Sequence, residues 1–244
     1  MKWRCEATRS SWTLRVASPP SERWPTPGSR HPVPSSRVRR RPAPSSRASA
    51  GAARPDPTAM AAAVGQFLRA AGLPLEDANL VDTPERVAEA WVHEFLDGYL
   101  QTPESALGET FPAPPDSSGE MVVVTDLRFH SMCPHHLLPF TGRAHVAYVP
   151  GSRVVGFGRL SALVDCFAHR LILQEDLARH VAGSLARVLG SPATACIIEA
   201  EQSCLRLRGD HQRDATTHAE AYEGRLRRDG PLRRELWARL GARR

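Results

Sequence analysis

Two kinds of apolar periodicity divide this chain, and they meet near Glu120. Before it the spacing is helical. Val64, Phe67, Leu68 and Ala71 fall at i, i+3, i+4 and i+7, one stripe of a helix that Gly72 and Pro74 stop. Thr83 suits an N-cap and Pro84 the first helical position, and Val87, Trp91 and Phe95 mark the buried face of a second helix ending near Gly98. Pro103, Pro112, Pro114, Pro115 and Gly119 make residues 102–119 read as a loop.

After Glu120 the pattern turns β-prone. Met121 to Val124 and Arg143 to Val149 predict strands, and Val154 to Phe157 predicts a short one after the Pro150-Gly151 turn. Leu160 to His169 reads as a helix. Leu177, Val181, Leu185 and Val188 mark another, closed by Gly190 and Pro192. Ala193 to Glu201 is β-prone again, followed by Leu205 to Leu207, then Thr216 to Tyr222 as a last strand and Leu232 to Leu240 as a C-terminal helix. This order predicts an α+β fold, an antiparallel sheet with two helices on one face, preceded by an N-terminal helical region.

Residues 1–57 fit neither pattern. They are rich in Pro, Ser and Arg and cannot bury enough apolar surface to offset their ordering entropy, so they read as a disordered tail. An Arg/Ser-rich, acid-poor leader resembles an organelle transit peptide, but the prolines oppose an amphipathic helix. A translation start at Met60 is the other account of this segment. The expected organisation is a tail over 1–57, a helical region and loop over 58–119, and a sheet domain carrying the chemistry over 120–244.

The tail also changes the meaning of the charge. It holds twelve basic and three acidic side chains, a balance of +9, so the remainder is −3 against the total of +6. The basic excess therefore gives no reason to expect the folded part to bind nucleic acid. The only lysine is Lys2, an arginine bias that fits codon composition. No run approaches the ~18 apolar residues of a membrane span. The five cysteines, Cys5, Cys133, Cys166, Cys196 and Cys204, are odd in number and irregular in spacing. They point to free thiols in a reducing cytoplasm, some of them metal ligands, not to a disulfide framework.

The densest chemistry lies in Ser131-Met132-Cys133-Pro134-His135-His136-Leu137-Leu138-Pro139-Phe140. A cysteine and a histidine three positions apart can turn toward one metal ion, and a third ligand is required; Cys204, at a strand junction, is the best candidate. Two thiolates and one imidazole leave a fourth position open, as in catalytic zinc sites. His135, beside His136, would face the substrate as a proton-transfer group. Spacing alone leaves the alternative that these are packed polar residues. Gln174-Glu175 reads equally as an exposed helix start, and Arg86, Arg159 and Arg208 as solvated surface charges. His169, His211 and His218 read as surface residues.

The Ser131–Phe140 stretch followed by Thr141-Gly142 resembles the zinc-loop signature of GTP cyclohydrolase I. The resemblance continues through Ala147-Tyr148-Val149-Pro150, Phe167-Ala168, Arg170-Leu171, Gln174-Glu175 and Ala200-Glu201 to Cys204 and Arg208-Gly209, and reaches back to Asp82-Thr83-Pro84-Glu85-Arg86-Val87. It spans about residues 60–244. It implies a tunnelling fold (T-fold), in which subunit sheets join side by side, and a homodecamer with sites between subunits. It implies Zn2+ held by Cys133, His136 and Cys204, with GTP as substrate. The reaction would hydrate guanine C8, open the imidazole ring, release formate and give 7,8-dihydroneopterin triphosphate. By position Glu175 would hold guanine with help from Gln174. Arg208 and Arg159 would grip the triphosphate, with Arg86 reaching it from a neighbouring subunit.

The chain also departs from that pattern. Gln202 stands where the family has a second catalytic histidine, and glutamine cannot shuttle a proton at neutral pH. Gly158 replaces a usual serine and Ala162 a usual arginine, while Asp210, Asp214 and Glu220 bring negative charge near the expected phosphate site. The alternatives are a divergent paralogue that stops at the ring-opened formamide or uses another purine nucleotide, and a catalytically silent member that binds zinc and nucleotide.

Overall fold

The computed structural model describes residues 54–115, 119–208 and 214–241. Residues 1–53 of the tail expected over 1–57, and Gly209, Asp210 and His211 among the expected site and surface positions, lie outside the described residues, while Asp56 and Pro57 belong to the start of the first helix.

The first helix, α1 (Pro57–Ala70), starts where Asp56 accepts a hydrogen bond from the Ala59 amide at 3.0 Å, with proline in the first turn. Its apolar stripe is less buried than the periodicity suggests, for Phe67 is 71% exposed. In α2 (Thr83–Ala90) the N-cap is Asp82, one residue earlier than expected. The helix then widens into a π turn over Trp91–Phe95 and a 3₁₀ turn over Asp97–Leu100. Pro84, Ala88, Val92 and Gly98 are buried along it, while Val87, Trp91 and Phe95 are half-buried.

The loop expected over 102–119 holds structure. Thr102 and Ser105 form a reciprocal cap that starts α3 (Pro103–Leu107), and proline there occupies the first turn where no amide hydrogen is needed. Next, β1 (Thr110–Pro112) pairs antiparallel with β4 (Arg153–Val155). A proline count reads as a loop, but prolines at a helix start and on an edge strand disturb nothing.

The main sheet is fully antiparallel. It contains β2 (Val122–Met132), β3 (Pro139–Val149), β5 (Ala193–Gln202) and β6 (Thr217–Gly224), in the order β2-β3-β5-β6. On one face lie α4 (Phe157–Ala168) and α5 (Gln174–Leu189). Alternation along the strands turns Ala144, Val146, Tyr148, Cys196 and Ile198 toward Leu160, Leu163, Leu177, Val181 and Leu185 in one buried cluster. Fully burying each such leucine stabilises the fold by about 1.5–3 kcal/mol. The opposite face carries Ala147, Val149, Ala195 and Ile197, covered by Leu226 and by Leu232 and Leu236 of α7 (Gly230–Gly241). The fold is thus α+β with two helices on one face, as the sequence predicts, plus a terminal helix on the other.

Two close approaches set the geometry near the chemistry. Gly142 pairs with Ala200, and a Cβ on it would lie 2.0 Å from the Glu199 carbonyl oxygen, so only glycine lets β3 and β5 meet there. Arg170 joins the N-terminal region to α4: its Nε donates to the Gly98 and Cys166 carbonyls at 3.1 and 2.7 Å and its Nη2 to the Gln101 carbonyl at 3.1 Å. Beside it the His169 side chain is 14% exposed and its Nδ1 lies 2.8 Å from Asp97 Oδ1. His169 is therefore no surface residue: the 97–101 segment folds over it. His218 is half-exposed, 3.7 Å from Glu199.

Candidate metal centre and ligand site

The strands β2 and β3 are joined by residues 133–138, which close on themselves. The Cys133 amide donates to the Leu138 carbonyl and the Leu137 amide to the Cys133 carbonyl, both at 2.9 Å. Leu137 takes a left-handed φ of 52°, which a side-chain-bearing residue adopts only under local constraint. This tight turn brings the Cys133 sulfur to 3.8 Å from His136 Nδ1 and leaves His135 exposed. The rings of His135 and His136 stand 6.2 Å apart, inclined at 74°.

The third donor arrives from β5. The run Leu205–Leu207, read as β-prone, is not strand: α6 (Ser203–Arg206) forms directly after Gln202, with the Leu207 amide on the Ser203 carbonyl at 3.0 Å and an Arg206–Glu201 ion pair across the junction. A strand would have sent successive side chains to opposite faces. The helical turn instead carries Cys204 back to the 133–138 loop. The donor atoms of Cys133, His136 and Cys204 all lie within 4.8 Å of one another, the single such group of histidine, cysteine or acidic donors among the described residues.

The donor set suits a divalent cation. Two sulfurs and one imidazole nitrogen from a Cys-x-x-His turn and a distant cysteine match the soft, tetrahedral preference of zinc and leave one position open. Burial and the neighbouring Cys133 sulfur push the Cys204 thiol up, and the Arg208 charge pulls weakly the other way. Two adjacent thiolates repel, and a bound cation removes that cost.

The family profile described as GTP cyclohydrolase I matches residues 60–241. The chain belongs to the GTP cyclohydrolase I family. The chain is 39% identical over 181 residues to the GTP cyclohydrolase 1 of Chromobacterium violaceum, covering 74% of this chain and 86% of that one. It is 38% identical over 174 residues to the GTP cyclohydrolase 1 of Ralstonia nicotianae, covering 71% and 82%. Among solved structures, the archaeosine synthase QueF-Like in the apo form aligns with a TM-score of 0.37 and 20% identity over 44% of this chain and 96% of that one.

Beside this Cys-His-Cys group the structure joins two further positions singled out in the sequence, Gln174, which matches the GTP cyclohydrolase I pattern, and Gln202, which departs from it. Gln202 Nε2 donates to Gln174 Oε1 at 2.9 Å, tying the end of β5 to the start of α5. Glu175, next on that helix, is exposed. Gln174 itself is buried, and its amide also bonds the Ile198 carbonyl and Thr217. Nothing in the sequence marks Thr217 for this contact, since a threonine in a strand carries no motif.

The arginines are dispersed. Arg208, exposed just past α6, lies near enough for its charge to act on Cys204. Arg159 rests its guanidinium against Gly108 at the end of α3, and Arg86 on α2 is exposed, 3.5 Å from Asp82.

Proposed function

We propose that this chain is a zinc-dependent hydrolase that opens the imidazole ring of GTP, giving formate and 7,8-dihydroneopterin triphosphate. The observation that carries the reading is the convergence of Cys133, His136 and Cys204 in a member of the GTP cyclohydrolase I family. These three residues would hold the zinc. Zinc bound there supplies Lewis acidity, which brings the ionisation of water down to about pH 7.

The chain's own residues divide the remaining work. His135, exposed on the loop beside the ligands, moves the proton at its imidazole; such groups contribute about 10²–10⁴-fold. Glu175 accepts from the guanine N1–H and 2-amino donors, a charge-assisted pairing. Arg208 and Arg159 bind the triphosphate, joined by Arg86 of a neighbouring subunit. Residues 120–244 form the catalytic domain behind the 58–119 helical region. The assembly is a homodecamer in the tunnelling-fold manner, its outer strands β2 and β6 meeting side by side. Thiol ligands fit a reducing cytoplasm. No described helix is long and apolar enough to cross a membrane.

Gln202 favours a second reading. Its amide is tied to Gln174 and neither gives up nor takes on a proton at neutral pH, so the formyl hydrolysis that follows ring opening lacks a second acid or base at this position. On this reading the reaction stops at the ring-opened formamide. Incubating the zinc-loaded protein with GTP and identifying products by mass separates the cases. A pterin supports the complete reaction and a formamide the arrested one. Unchanged GTP removes both and leaves a silent binder or another purine nucleotide as substrate.

A further inference from the structure

Gln174 is 6% exposed, and its amide is saturated within the chain. Its Nε2 lies 3.0 Å from the Ile198 carbonyl oxygen and 3.1 Å from that of Thr217. Carbonyl oxygens only accept, so this pair fixes which end of the amide is nitrogen. Oε1 must then point the other way, where Thr217 Oγ1 stands at 2.6 Å and Gln202 Nε2 at 2.9 Å. An amide oxygen carries no hydrogen. The Thr217 hydroxyl therefore donates to it, although the Ala200 carbonyl is also within reach at 3.1 Å. Gln202 likewise has to turn its NH2 inward.

Two backbone carbonyls thus determine, through Gln174, the orientation of Gln202, two residues before the metal-binding Cys204. What Gln202 has left for a ligand is its carbonyl Oε1 and one N–H. Turning Gln174 outward to meet a purine base would leave the Ile198 and Thr217 carbonyls and the Thr217 hydroxyl without their partner, a cost that grows with burial.

We propose that Gln174 is a positioning residue that, together with Thr217, holds Gln202 as a fixed hydrogen-bond acceptor toward a donor N–H or O–H at the site, and does not itself bind the purine. This deepens the GTP ring-opening reading and rests on it for the nature of the ligand. It replaces the expectation that Gln174 assists in holding guanine. It also gives the Gln202 departure a physical content: the position keeps a directed hydrogen bond and loses proton exchange.

The test uses the full-length, zinc-loaded protein and the variants Gln174→Leu, Thr217→Val, Gln202→Leu and Gln174→Leu/Gln202→Leu. Calorimetric titration with GTP reads affinity, single-turnover mass analysis reads ring opening, and urea unfolding gives a double-mutant cycle. Gln174→Leu should change GTP affinity less than about threefold and slow ring opening about tenfold, the loss of one neutral hydrogen bond. The double variant should be no slower than Gln202→Leu, and the unfolding cycle should show coupling between positions 174 and 202. A tenfold or larger loss of GTP affinity in Gln174→Leu that simply adds to the Gln202→Leu effect overturns the proposal, as does an unfolding cycle without coupling. Should Gln174→Leu fail to fold, Thr217→Val, which removes one hydroxyl, carries the same comparison. If the parent protein leaves GTP unopened, the functional reading fails while the unfolding cycle still decides the relay.

Discussion

The two ends of the candidate site are built differently. At the metal end, three donors from a closed turn and a helical turn meet within 4.8 Å in one chain. Among the arginines proposed for the phosphates, Arg208 lies near enough for its charge to act on Cys204, while Arg159 lies against Gly108 and Arg86 faces Asp82. The contrast teaches where one subunit suffices. Donors to one zinc ion must each lie about 2.0–2.3 Å from it, and here one chain brings all three close enough together. A triphosphate spreads its charge over several ångströms and can collect cations from more than one copy.

The largest expected effect tests the first half of that contrast. Cys204→Ser should lower zinc affinity by more than ~100-fold, since it removes a ligand where lesser changes around one already cost 10–100-fold. Metal analysis after dialysis checks it, and full zinc retention would break the idea that this chain alone completes the site. Next in size, His135→Gln should keep its zinc and slow ring opening by about 10²–10⁴-fold. Parallel loss of metal and rate would make His135 part of the metal support instead.

Arg86→Ala sharpens the second half. Its exposed side chain contributes little to its own subunit, so the melting temperature should stay within about 2 °C. The KM for GTP should rise about tenfold with little change in kcat. An unchanged KM removes Arg86 from the phosphate site.

The smallest effect concerns Asp165, distant from both ends in role. Burial raises its carboxyl above the usual range, and the charges of His169 and His130 offset this only in part. The folded state therefore holds that proton more tightly than the unfolded one. Ionising it subtracts stability as pH rises from about 3.9, the unfolded value, through the folded one. Asp165→Asn should gain stability relative to the parent between pH 4 and 7, read from urea midpoints. Equal pH slopes would place the carboxyl in solvent.

The helices and strands were legible because apolar period follows from burying one face, and a buried face leaves the same mark wherever it packs. Cys133 and His136 were legible only in part: three residues of separation let both turn toward one ion, but spacing alone left packed polar residues as the alternative. The helix at Pro103–Leu107 escaped because its signal is a cap and not a stripe.

Local pattern also determined the antiparallel α+β order, and it allowed, without deciding, the pairing of one thiol with one imidazole. The packed chain alone settled that Cys204 turns back on a short helix, that Gly142 admits β5 at close range, that His169 lies beneath the 97–101 segment, and that Gln174 spends its whole amide on Ile198, Thr217 and Gln202. Each of these depends on groups far apart in the chain, whose mutual distance no local periodicity encodes.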